Sequence, residues 1–177
     1  FWSPISGRRC IGLYERERNT FMLIYHASDI IVDKPDTIHS RTNLDFGKGF
    51  YATVIREQAE RYALRFILRN RKGILNTYEY TPAKDLNIKC FDAYDSDWLD
   101  FVAACRMGEE VYKQYDVICG GIANDRVFNT LDLYFSNQMT KEEALKRLIF
   151  EKPNQQICFT NQRAIERCIE FVGAQQL

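Results

Sequence analysis

Hydrophobic and polar positions along this chain follow two rhythms, one of period two and one near 3.6. Phe21-Met-Leu-Ile-Tyr-His26 is a nearly continuous apolar run, the mark of a strand buried on both faces. Residues 27–50 lose all period and are broken by Pro35 and by Gly47-Lys48-Gly49. From Arg56 to about Asn70 the spacing turns helical. There Ala59, Tyr62, Ala63, Phe66 and Ile67 build one apolar face, and Gly73 stops it. Leu75 to Tyr80 alternates and ends at Pro82, predicting a strand. Trp98, Phe101, Val102 and Cys105 form a second helical stripe, terminated near Gly108. Tyr115-Asp-Val-Ile-Cys119 is a short strand running into Gly120-Gly121.

Thr140-Lys-Glu-Glu143 has the spacing of a capping box, in which the threonine accepts from the helix start and the glutamate reaches back. The helix it opens turns Ala144, Leu145, Leu148 and Ile149 inward, and Pro153 closes the segment. Gln156-Ile-Cys-Phe-Thr160 reads as a strand, and Asn161 caps a last helix bearing Ile165, Cys168 and Ile169. Short strands interleave with helices without a regular βαβ rhythm, so the expected fold class is α+β.

Residues 1–20, with Arg8-Arg9 and Glu15-Arg16-Glu17-Arg18, read as a solvated leader or a segment left from expression. Residues 21–177 read as one domain, a length that fits a single core. The 46% hydrophobic and 14% aromatic content, with 9 Gly and 4 Pro, belongs to a globular chain. The 24 Lys+Arg and 24 Asp+Glu cancel, which removes bulk charge as a reason to bind nucleic acid and leaves room only for a local patch. No apolar run approaches the ~20 residues of a membrane helix, so no membrane partner is expected. Cys10, Cys90, Cys105, Cys119, Cys158 and Cys168 contain no Cys-x-x-Cys pair, and His26 and His39 lack zinc-ligand spacing, so no metal site is expected. At this density the cysteines are expected to be reduced, mostly buried thiols of a cytoplasmic protein.

Three places put polar or aromatic groups where packing does not ask for them. His26 closes an otherwise apolar strand. Asp45-Phe-Gly-Lys-Gly-Phe-Tyr51 carries two glycines that permit positive φ and close backbone approach, yet it is neither GxGxxG nor a Walker loop. Tyr62 follows Tyr51 by 11 residues, beside the apolar face of the next helix. Singly, each also has a plain structural reading: a strand-end histidine, an ordinary turn, a packed tyrosine.

In this order, Tyr25-His26-Ala27-Ser28, then Phe46-Gly-Lys-Gly-Phe-Tyr51, then a helix with Tyr62, the chain resembles the NAD-binding half of the ADP-ribosyltransferase superfamily. The branch it resembles is that of diphtheria toxin and the poly(ADP-ribose) polymerases, marked by His, Tyr and Glu. More narrowly, it is similar to a bacterial domain family of that superfamily often encoded beside toxin or defence genes. The phrases Asp45-Phe-Gly-Lys-Gly-Phe-Tyr51, Trp98-Leu-Asp-Phe-Val102, Tyr115-Asp-Val-Ile118 and Gln156-Ile-Cys-Phe-Thr160 carry that likeness, which runs from about residue 21 to 171.

The resemblance implies two small, mostly antiparallel sheets around an NAD+ cleft with flanking helices, and NAD+ as co-substrate. It implies that Tyr51 and Tyr62 sandwich the nicotinamide, an aromatic stack worth ~1–3 kcal/mol. His26 would hydrogen-bond a ribose hydroxyl and the Ala27 backbone would hold the carboxamide, with Ser28 and Gly49 completing the NAD+ contacts. Lys48 stands either near the pyrophosphate or as a solvated turn lysine.

Two positions depart from the pattern. Ala59 stands where the polymerases have a serine for the carboxamide, and Gln156 stands where the branch has its catalytic glutamate. Glutamine can orient the ribose but brings no negative charge to an oxocarbenium-like transition state. Losing such a group commonly costs ~10²–10³ in rate. Three outcomes stay open: Gln156 suffices with a reactive acceptor, a carboxylate such as Asp45, Asp116 or Asp125 substitutes, or the site binds NAD+ with slow turnover.

The implied activity is mono-ADP-ribosyl transfer to a macromolecule, protein or nucleic acid, by a bacterial toxin or defence effector with an antitoxin as candidate partner. Gln156, His26 and Tyr51 are its implied catalytic residues. NAD+ glycohydrolysis and a non-catalytic NAD+ or ADP-ribose binding module are the alternatives. Gly120-Gly-Ile-Ala-Asn-Asp-Arg126 is either a functional loop after a strand or a helix cap made by Asn124-Asp125. Arg69, Arg71 and Lys72 read as a solvated helix end.

Overall fold

The computed structural model describes residues 21–151 and 154–177, so the segment 1–20 with its Cys10, and Pro153, lie outside the described residues. Among the described residues seven strands form: β1 (Met22–Ser28), β2 (Phe50–Thr53), β3 (Ile74–Tyr80), β4 (Ile88–Cys90), β5 (Val117–Gly120), β6 (Gln156–Phe159) and β7 (Ile169–Gln176). Five α-helices accompany them among the described residues: α1 (Arg56–Ile67), α2 (Ser96–Arg106), α3 (Asp125–Phe135), α4 (Lys141–Leu148) and α5 (Gln162–Cys168). The class is α+β. The strands lie in the order β4-β5-β6-β2-β1-β3-β7, antiparallel throughout except for β4–β5.

Where two sheets were expected, the structure has one sheet with a narrow seam. β1 pairs with β3 along its whole length, and β2 pairs with β6 along its whole length. β1 and β2 meet at a single registered pair, Tyr25↔Thr53, and that pair makes the two halves one sheet. Packing crosses the seam more firmly than the ladder does. On one face Ile24, Phe50, Tyr78, Val117, Ile157 and Phe159 form a single cluster closed by Ala164, Ile165 and Cys168 of α5. Each large apolar side chain buried there stabilises by ~1.5–3 kcal/mol, against about 1 kcal/mol for a backbone hydrogen bond.

The opposite face is divided. Under β5, β6 and β2, a cluster of Phe46, Trp98, Leu99, Val102, Ile118, Leu131, Leu148 and Cys158 is built with α2, α3 and α4. Under β1 and β3, α1 rests on a small cluster of Ala27, Ala59, Ala63 and Leu75. This narrow contact corrects two expectations. Only the two alanines of α1 are buried, leaving Tyr62 49% and Ile67 38% exposed. β1 is not buried on both faces either: Leu23, on the α1 side, lies outside that cluster and is 40% exposed.

The helix starts follow their caps. Thr140 Oγ1 accepts from the Glu143 N–H at 3.2 Å, and the Thr140 N–H donates to Glu143 Oε2 at 2.9 Å, completing the capping box. Asn161 Oδ1 accepts from the Ala164 N–H. The ends differ from expectation. α4 stops at Leu148, so Ile149 points to solvent at 75% exposure. Ile169 leaves α5 and begins β7, drawn into the sheet by its pairing with Tyr80. Cys105, Cys119, Cys158 and Cys168 are buried free thiols. Burial pushes the Cys105 thiol up to about 12, away from the reactive thiolate. No helix among the described residues is long and apolar enough to cross a membrane.

Candidate functional site at the sheet seam

Residues directly opposite in a ladder share a face, and so do residues two apart on a strand. Thr53 is opposite both Tyr25 and Gln156, and Tyr51 is opposite Cys158. Tyr25, Tyr51, Thr53, Gln156 and Cys158 therefore share the divided face, where α1 and the α2–α4 group leave the sheet uncovered by a common cluster. The candidate segments, 130 residues apart at their extremes, lie on three adjacent strands, β1, β2 and β6.

His26 sits at the seam but on the Phe50 side, with ring centroids 4.7 Å apart. Its Nδ1 lies 2.7 Å from the Tyr51 carbonyl oxygen. A carbonyl only accepts, so Nδ1 carries the proton and Nε2 keeps its lone pair. Burial holds the ring's pKa below the usual 6.5, against the smaller opposing effect of that hydrogen bond, so the ring is neutral at pH 7. The ladder opens beside Tyr25↔Thr53, and the ring joins the strands where backbone pairing has stopped.

The Tyr51 hydroxyl folds back onto the glycine turn. It donates to the Gly47 carbonyl at 2.7 Å and accepts from the Phe46 N–H at 3.1 Å, and burial raises its pKa well above 10. Gly47 has φ +72°, and a Cβ there would collide with the Tyr112 ring. A Cβ on Gly49 would come within 2.5 Å of the Phe159 carbonyl oxygen on β6. Both glycines are required, the first by left-handed backbone and the second by close approach. The Gly49 N–H donates to Ser40 Oγ at 3.0 Å.

Asp45 anchors the same turn. Its Oδ1 accepts from Arg106 Nε at 2.7 Å and its Oδ2 from the Ala123 N–H at 2.7 Å, inside the fold. Arg106 in turn lies over the Phe128 and Phe135 rings. Asp116 accepts from the Asn87 N–H and from Asn161 Nδ2, and it precedes Val117, which faces the far end of β6 from Gln156. Both carboxylates are thus engaged in structure, Asp116 away from Gln156. Asp125 opens α3, and its side chain lies outside the described groups. The loop containing it takes the cap reading, with Asn124 Oδ1 accepting from the Arg126 and Val127 N–H groups. Trp98 Nε1 and the Tyr94 hydroxyl donate to the Gly121 and Ile122 carbonyls, which fixes the loop from below.

Ala27 is buried and registers with Leu75 on β3, its other edge toward the seam. The Ser28 hydroxyl is committed, donating to the Ile30 carbonyl at 2.5 Å and accepting from Asn76 Nδ2 at 2.9 Å. Asn76, fully buried, also accepts the Val32 N–H and so fixes the loop that leaves β1. Sequence reasoning passed over Asn76, although an asparagine within an alternating strand was a readable signal. Tyr62 contacts the Phe66 ring edge and lies 5.2 Å below the Arg65 guanidinium, with half its surface open. Gln156 opens β6 half-buried, between Thr53 and Gly120, and Lys48 is half-buried on the turn.

Comparison with known families gives one match, to the family described as "Protein of unknown function (DUF3990)", over residues 22–171. The chain belongs to that family. No curated protein and no solved structure matches it.

Proposed function

We propose that this member of the DUF3990 family is a mono-ADP-ribosyltransferase that uses NAD+ to modify a macromolecule, its cleft formed at the β1–β2 seam of an ADP-ribosyltransferase-type fold. One observation carries the reading: three segments distant in sequence, at His26, Tyr51 and Gln156, lie on neighbouring strands, and His26 donates to the Tyr51 carbonyl. The single pair joining the halves supports the finer reading of a sheet about to divide in two.

In this reading NAD+ enters where the β1–β2 ladder has opened. There the Nε2 lone pair of neutral His26, from the Phe50 side of the sheet, accepts a ribose hydroxyl, across the seam from Tyr51 and Gln156 on the divided face. Tyr51, locked by its hydroxyl to the glycine turn, presents its ring to the nicotinamide, and the half-open Tyr62 supplies the second ring. The bond between nicotinamide and C1′ of the ribose breaks and nicotinamide leaves with the electron pair. An acceptor oxygen or nitrogen then bonds C1′ and releases its proton. Gln156 orients the ribose through its carboxamide and contributes no charge. The same resemblance makes the protein a cytoplasmic toxin or defence effector restrained by an antitoxin.

A second reading has its own support. Asp45 and Asp116 are engaged elsewhere and neither replaces the missing glutamate, which favours NAD+ binding with slow hydrolysis or none. Labelled NAD+ incubated with the protein and cell lysate separates the two. Macromolecule-bound label with free nicotinamide supports transfer, free ADP-ribose supports hydrolysis, and binding without nicotinamide release leaves a binding module. Gln156→Glu is expected to raise nicotinamide release by ~10²-fold or more. An unchanged rate would remove Gln156 from the reacting carbon.

A further inference from the structure

We infer that the outer face and C-terminal end of α1 form a docking surface for nucleic acid, which is then the macromolecular acceptor. This rests on the transfer reading above. From Arg61 to Lys72 the chain carries Arg61, Arg65, Arg69, Arg71 and Lys72 and no carboxylate, within a sequence whose total charges cancel. All five are exposed. Arg71 pairs with Asp29, whereas Arg61, Arg65, Arg69 and Lys72 have no carboxylate partner among the described residues.

The helix rises ~1.5 Å per residue, so Arg61 and Arg65 stand one turn apart, ~6 Å along one face. Arg69 and Lys72 extend the patch past the helix end, where Asn70 turns the chain at φ 57°. Four of the five cations are arginines, whose planar fork matches phosphate oxygens in pairs. The surface also adjoins the site: Arg65 lies over Tyr62, and Arg71 holds Asp29, three residues beyond His26. A phosphate backbone seated here runs beside the proposed NAD+ cleft. An acidic protein would use the same charges and the exposed Leu64 and Leu68, and it is the competing outcome.

Fluorescence polarisation with a labelled 20-nucleotide RNA, the same sequence as single-stranded and duplex DNA, and a polyglutamate peptide tests the surface. A nucleic acid is expected to bind with a log–log salt slope near −3, from four phosphate contacts at ~0.7–0.9 each. The triple variant R61Q/R69Q/K72Q, with unchanged circular dichroism and NAD+ affinity, is expected to weaken binding by about tenfold or more and reduce the slope to near −1. Label from NAD+ should appear on the strand and fall in the variant. If the triple variant does not fold, R69Q/K72Q beyond the helix end repeats the comparison. Unchanged affinity in the variant, or tighter binding of polyglutamate, overturns the inference. Strand binding through this face without NAD+ affinity overturns the transferase reading and leaves the surface standing.

Discussion

At the scale of single residues, the Tyr51 hydroxyl does two things at once: it closes the glycine turn and sets the tilt of its own ring. Tyr51→Phe keeps the ring and loses both hydrogen bonds. The variant is expected to lose about 1–2 kcal/mol in urea denaturation and to bind NAD+ several-fold more weakly in calorimetry. Unchanged affinity would mean that the hydroxyl does not position the ring. Much at this scale was legible beforehand. Gly47 and Gly49 follow from the need for a left-handed turn and a close strand contact, and the strand that Gln156 opens follows from the apolar run after it. His26 was legible as an oddity in an apolar run. That its Nδ1–H donates to Tyr51 was not, because the bond spans 25 residues and depends on where a ladder opens.

Among elements, the Asp45–Arg106 pair ties the glycine turn to the end of α2 and, through Ala123, to the loop before α3. Both side chains are largely buried, at 10% and 18% exposure, so removing one leaves a charge without a partner. Arg106→Met is expected to destabilise by ~3–5 kcal/mol in denaturant titration, and adding Asp45→Asn should restore part of that loss. If the double variant is no more stable than the single one, the pair is not the cause. Sequence reading found the elements that announce their own ends, such as the capping box at Thr140 and the cap at Asn161. It missed β7, because no breaker separates Cys168 from Ile169 and only pairing with β3 makes that stretch a strand. It also left Asp45 open as a catalytic substitute, since its arginine lies 61 residues away.

For the molecule as a whole, pH reports on the seam. Unfolded histidine titrates near 6.5, and in the fold burial holds His26 lower. Between those values the unfolded chain binds a proton that the folded chain does not, so unfolding free energy rises with pH. This contribution is complete above about 6.5, is lost as pH falls toward the folded value, and is flat below it. Thermal melts across this range should show that slope in the parent and a reduced slope in His26→Gln. Equal slopes would detach the histidine from the seam. The α+β class was legible from the mixed rhythms. The joining of the halves was not, since one residue pair decides it.

The strand order also has a consequence for how the protein is made. β6 and β7 are the last strands along the described chain, yet β6 lies between β5 and β2, and β7 completes the half containing β1 and β3. Ribosomes add ~5–20 residues per second, so the 130 residues from His26 to Gln156 take from about 6.5 to 26 s. For most of that time the nascent chain holds His26 and Tyr51 without the strand that brings Gln156. Neither half of the sheet can finish until β6 and β7 have emerged. The seam is thereby kept incomplete until strands more than a hundred residues downstream of β1 have been made.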